Sequence, residues 1–161
     1  LKRGGGFVVI HSATWTKPKA DPDVAALVGV GGFTRYRHGT LQVDVVARDH
    51  PICKGLPDRI SFLDEPYWPP TPPLDTGRVT VLAVSEETDP MTQKPSPQPI
   101  FWTCQTGRGR VFGCVPGHYT WTFDGPWFRL LLLRGIAWAG GQPAGRLDHL
   151  ALRGARFADK Q

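Results

Sequence analysis

The sequence has no apolar run long enough to cross a bilayer. Its longest, Trp127 to Trp138, is broken by Arg129 and Arg134 and stops at Gly140-Gly141, short of the ~20 apolar residues a span requires. No membrane insertion is expected. Cysteine is scarce, and Cys53, Cys104 and Cys114 show no C-x-x-C spacing. The net charge is +5, but the basic residues are scattered apart from a mild excess at Arg146, Arg153, Arg156 and Lys160. Without a clustered stripe or a known motif, no nucleic-acid partner is expected. Glycine is plentiful but misplaced for holding phosphate. Gly4-Gly5-Gly6 precede the first apolar run instead of following it, and Gly29, Gly31 and Gly32 lack G-x-G-x-x-G spacing. A Walker lysine motif, a G-x-S-x-G elbow and internal repeats are missing too, and Ser12 has no recognisable triad setting. There is no initiator Met or signal peptide, so a fragment lacking its natural beginning is expected and no compartment is assigned.

What is present suits one domain of 161 residues. Hydrophobic residues at 40% and charged residues at 20%, with six Trp and eight Phe, predict a real core. The segment Arg110 to Trp138 organises the rest. Val111 to Val115 reads as a buried strand and ends at Pro116-Gly117, directly before His118. Asp124-Gly125-Pro126 reads as a helix start with Asp124 as cap, and the helix that follows is apolar nearly all round, as if buried against a sheet. Phe7 to Ile10 reads as a central strand buried on both faces, which implies a parallel sheet, and it ends at His11-Ser12. Asp21 to Val30 is a short helix candidate capped by Asp21. Leu41, Val43 and Val45 alternate with polar residues, as in a strand near a sheet edge. Pro69 to Pro73 is a rigid connector, Val79 to Val84 a strand, and Glu86 to Gln98 a polar, mobile loop. Ile100 to Cys104 and Arg110 to Val115 form a hairpin in which Cys104 faces Val111 and Cys114 faces Phe101. The two thiols then point to opposite sheet faces, which disfavours a disulfide. All three cysteines read as small buried apolar residues.

Three histidines stand where chemistry is possible: His11 after the first strand, His118 after the last, and His38 in the loop Thr34 to Gly39, which suits either a site wall or a plain surface loop. Glu65, beside Asp64, is the candidate acid; one carboxylate of the pair can hold a turn while the other faces a pocket. Imidazoles trade protons near neutral pH or ligate metals. Ends of neighbouring parallel strands lie ~5 Å apart, so His11, His118 and Glu65 can share one pocket suited to acid–base work or to a divalent metal such as zinc. A lone strand-end histidine is as often structural. His50 reads as part of a turn beside Pro51, and His149 carries no functional case. Tyr36, Trp68, Tyr119 and Trp121 suit a sugar-stacking wall, or else are rim aromatics.

Taken in order, GGGFVVIHSA (4–13), GGFTRYRHG (31–39), DHPICKGLP (49–57), DEPYW (64–68) and the long stretch 99–141 resemble the ThuA-like, trehalose-utilisation family. The resemblance implies a flavodoxin-like, class I glutamine amidotransferase-like α/β three-layer sandwich. Its sheet would be mostly parallel and incomplete at the N-terminus, because family members usually carry about two further strand–helix units first. It implies a domain over 1–141 and a tail over 142–161 that is packed on the surface or partly disordered. It also implies what is missing: His11 stands where an amidotransferase carries its nucleophilic cysteine, and His118 stands at the triad-histidine position. Thiolate attack on glutamine is thereby excluded. The expected function is a sugar-active hydrolase or isomerase, metal-assisted or not, working on trehalose or a related glycoside or keto-sugar. His11, His118 and Glu65 would be catalytic or metal-ligating, with Ser12, Tyr36, His38, Tyr67 and Tyr119 as substrate contacts. The alternative is a non-catalytic module that binds a saccharide or a protein. Self-association stays open. Convergence of His11, His118 and Glu65 within about 6 Å of one point in a concave pocket favours the enzyme; dispersal favours the module.

Overall fold

The computed structural model describes residues 1, 3–15, 22–71, 75 and 77–154. The elements are β1 (Gly6–Ile10), a 3-10 turn (His11–Thr14), α1 (Pro22–Val28), β2 (Arg35–Tyr36), β3 (Gly39–Val45), β4 (Arg59–Asp64), β5 (Tyr67–Trp68), β6 (Val79–Thr88), β7 (Pro95–Thr106), β8 (Gly109–Cys114), a 3-10 helix (Thr120–Asp124), α2 (Pro126–Ala139) and a 3-10 helix (Ala144–Leu150). The predicted Asp21 cap and part of the Pro69–Pro73 connector lie outside the described residues. Among the described residues no helix is long and apolar enough to cross a membrane.

Six strands form one sheet in the order β1-β8-β7-β6-β3-β4, and β2 pairs with β5 in a separate two-stranded ladder. The expectation of a mostly parallel sheet is wrong. Only β1 and β8 pair in parallel among the described strands; β8–β7, β7–β6, β6–β3 and β3–β4 are all antiparallel. Parallel neighbours need long crossovers, usually helical. Among the described residues no helix lies between β3 and β8, and β7 turns into β8 through Gly107-Arg108 alone. Nor is β1 central: it ends the strand order and leaves Phe7 43% exposed. An apolar run signals burial potential, not position in the sheet.

The predicted mobile loop Glu86 to Gln98 is also corrected. Glu86, Glu87 and Thr88 pair with Pro97, Ser96 and Pro95, so β6 and β7 run on as a hairpin closed by residues 89–94. Three prolines argued for loop. Pro90 sits in the closing turn, and Pro95 and Pro97 are tolerated because β8 pairs with β7 only from Phe101 onward, which leaves residues 95–99 at an edge.

The two helices cover opposite faces. On one face the rings of Phe101, Phe112 and Phe128 of α2 pack in tilted pairs with centroids 6.2–6.4 Å apart, and Gly135 admits Phe112 so closely that a Cβ there would stand 2.4 Å from it. On the other face Trp102 Nε1 donates to Val28 O of α1 at 2.8 Å, and its indole lies over Gly113, its cross-strand partner. Phe101, Trp102 and Phe112 are fully buried, each contributing about 1.5–3 kcal/mol. Cys104 pairs with Val111 and Cys114 with Phe101, and all three cysteines are free and buried. α2 begins at Pro126, and the residue at its cap position is Gly125, one place beyond the expected Asp124. The helix is not buried all round: Trp127 and Ile136 are exposed. The Arg134 guanidinium ties it to Asp148 and to the carbonyls of Ile52 and Lys54.

Candidate functional site

Strands β1, β8, β6 and β4 all run the same way, so their carboxyl ends share one edge of the sheet. A flat six-stranded sheet would hold β1 and β4 roughly 24 Å apart. Yet Asp64, at the end of β4, accepts hydrogen bonds from the backbone N–H groups of Gly117 and His118, just beyond β8, at 3.1 Å each. The sheet curls until its two ends meet, and the site lies at that meeting.

Each arm has its own local cause. β1 ends on His11 at φ +50°, a left-handed conformation that is uncommon outside glycine. It costs about 1 kcal/mol or more. It is held by the Thr14 hydroxyl donating to the His11 carbonyl at 2.6 Å and by His11 Nδ1 donating to Val115 O at 2.9 Å. That second bond fixes the tautomer of the neutral ring and leaves Nε2 as a lone pair. Beyond β8, Gly117 turns at φ +137°, where a Cβ would lie 3.0 Å from Ile10 and 3.3 Å from His11. Glycine at this position lets the two strand ends approach. Asp64 is fully buried, and its partners are the N–H groups of Glu65, Gly117 and His118 together with the Thr122 hydroxyl.

Glu65 points the other way, into the cluster. Its Oε2 lies 3.0 Å from His118 Nδ1, 3.3 Å from His11 Nε2 and 2.9 Å from the Tyr67 hydroxyl; its Oε1 lies 3.5 Å from His38 Nε2. His11 Nε2 is 3.1 Å from His118 Nδ1 and 2.9 Å from the Tyr67 hydroxyl. Burial, and then the Glu65 carboxylate, raise the Tyr67 phenol well above its ordinary value, so it keeps its proton. His11, Glu65 and His118 are a group able to hold a metal ion, each offering one ligand atom.

The remaining predicted residues form the surround. Tyr36 pairs with Tyr67 across β2 and β5, and an open cleft of about 380 Å³ is lined by Ser12, Trp15, Tyr36, Glu65 and Tyr67. The Tyr119 hydroxyl bonds His38 Nδ1 at 2.8 Å, and its ring stacks on Trp121 at 4.2 Å. Trp68 does not join the wall: it is buried, with Nε1 donating to Thr88 O. His50 sits in a turn, where its Nδ1 accepts from Ile52 N. Sequence reasoning missed Trp15, whose ring meets Tyr36 and Tyr67 edge-on. The available signal was Thr14, a side chain three residues past His11 and able to bond back to its carbonyl, which marks a tight turn that carries Trp15 to the same edge. It also missed the buried Glu87, which takes both arms of Arg37 at 2.8 Å and braces the β2–β3 connection that bears His38. No thiol reaches the cluster. Burial lifts Cys53 to about 11 and raises Cys114 as well, with the Asp64 charge adding to the latter.

A family model described as ThuA, trehalose utilisation, matches residues 1–139. The chain belongs to the ThuA family. Two solved structures share its fold, ThuA-like proteins of Parabacteroides merdae and Bacteroides uniformis, at 23% and 22% identity and TM-scores of 0.66 and 0.68. Their alignments cover 88% and 89% of this chain, which spans 63% of the length of each. A search of curated proteins gives no match. This ThuA chain is thus a mixed α/β protein with a curled six-stranded sheet, a placement consistent with the amidotransferase-like superfamily. In it a histidine occupies the strained strand end after β1.

Proposed function

We infer that this ThuA chain is an enzyme acting on a sugar, either a glycoside such as trehalose or its keto form. His11, Glu65 and His118 are the reacting groups, and Ser12, Tyr36, His38, Tyr67 and Tyr119 face the substrate. One observation carries this reading: imidazoles from the ends of β1 and β8 and the carboxylate after β4 meet within 3.0–3.3 Å of one another. A purely structural histidine needs one partner, and His11 already has one in Val115 O. The open cleft beside the cluster is walled by Trp15, Tyr36 and Tyr67, and aromatic faces suit the apolar faces of pyranose rings. Polar side chains in hydrogen-bond reach of one another at a cleft can move protons on a bound hydroxyl or carbonyl. Amidotransferase chemistry is not proposed, since histidine holds the nucleophile position.

The test is a turnover screen against trehalose, other disaccharides and their keto forms. It compares wild type with His118→Ala and with His50→Ala, a turn residue outside the cleft. Turnover present in wild type and His50→Ala but lost in His118→Ala supports the assignment. Saturable sugar binding with no turnover by wild type moves the chain to the class of saccharide-binding modules.

A further inference from the structure

We propose that His11 Nε2, Glu65 Oε2 and His118 Nδ1 are the ligands of a single divalent transition-metal ion of the zinc type. The three atoms form a triangle with sides of 3.1, 3.3 and 3.0 Å. Ligand bonds to zinc are about 2.0–2.2 Å. Adjacent ligands at that radius stand about 3.0 Å apart in octahedral and about 3.4 Å apart in tetrahedral geometry. The triangle therefore already has the dimensions of one face of a coordination sphere. An ion roughly 1 Å above its plane would meet all three bond lengths with no backbone movement.

Ring orientation points the same way. His11 Nδ1 is taken up by Val115 O at 2.9 Å, so Nε2 is the ring nitrogen turned to the cluster, where it lies 3.3 Å from Glu65 Oε2 and 3.1 Å from His118 Nδ1.

The outer layer is also what a metal site needs. Val115 O orients the His11 ring, Asp64 holds the backbone of His118, and Tyr67 and His38 brace the two oxygens of Glu65. Two imidazoles and a carboxylate fill three coordination positions and leave one or more open, and His118 is exposed. That is the composition of a reactive site and not of a closed structural one. A ligand with adjacent hydroxyl or carbonyl oxygens, as in a sugar, can fill those positions.

The proposal deepens the reading of this pocket as a sugar site, and it is tested without substrate. Chelator-treated chain is titrated with zinc chloride by calorimetry, and cobalt(II) absorption reports the coordination geometry. Wild type and His50→Ala should each bind one equivalent of zinc. His118→Ala and the near-isosteric Glu65→Gln should bind more than about 100-fold more weakly, with near-ultraviolet circular dichroism confirming that both remain folded. Absence of saturable binding in wild type, or unchanged affinity in folded Glu65→Gln and His118→Ala, overturns the site. Zinc binding without sugar turnover leaves the metal site standing and removes the sugar reading. Turnover by a chain that binds no zinc does the reverse.

Discussion

Asp64 and Glu65 are adjacent, both buried, and opposite in what surrounds them. Asp64 faces the region Pro116–Thr122, where every partner is a donor: three backbone N–H groups and the Thr122 hydroxyl. Glu65 faces the region of His11, His38, His118 and Tyr67, where every partner is a side chain that can itself gain or lose a proton. The first carboxylate is consumed by the fold; the second is wired to titratable groups. A buried charge held by backbone donors stabilises a loop, and one held among titratable side chains at a cleft is available for chemistry.

The sharpest way to break this comparison is to neutralise Glu65. Glu65→Gln should lower turnover on the sugar that proves active by about 100-fold or more, while its melting temperature stays at or above that of wild type. A large loss of melting temperature with activity retained would reverse the roles of the two carboxylates. Asp64→Ala comes next. It strands several buried donors and should destabilise the chain by roughly 3 kcal/mol, read by denaturant titration. Its activity should fall because the loop carrying His118 is no longer clasped. Smaller again is Gly113→Ala, outside both regions, where the new Cβ would lie 2.2 Å from the Trp102 indole. We expect a loss of about 1–3 kcal/mol in the same titration without a change in metal affinity; a shift in zinc affinity would mean that the β7–β8 core and the site are coupled. The smallest effect is at His50, whose imidazole burial holds below its ordinary value. Such a group binds its proton more readily unfolded than folded, so it withdraws stability as pH falls below about 6.5 and stops doing so below its folded value. The gap in melting temperature between wild type and His50→Asn, which keeps an acceptor for Ile52 N, should change between pH 7.5 and pH 5. It should not change between pH 7.5 and pH 8.5.

The strands that end in His11 and His118 were legible because continuous apolar runs, Phe7 to Ile10 and Val111 to Val115, stop at polar residues. The β7–β8 register was legible because a tight glycine turn fixes the pairing. The direction of the sheet was not: an apolar run looks the same in either orientation, and the prolines of β7 concealed five residues of strand. The destination of Trp68 was equally hidden, since a tryptophan beside a tyrosine reads the same in a wall and in a core.

Local chemistry in the chain alone determines which groups stand at two strand ends: His11 after β1, and His118 after the Pro116-Gly117 turn that follows β8. Composition and motif order determine the family. Only the tertiary structure decides that these ends meet, because the meeting depends on a sheet curled through six strands and on Asp64 bonding across the gap to Gly117 and His118. Curl accumulates from strand-to-strand twist and core packing, which no short stretch of sequence contains.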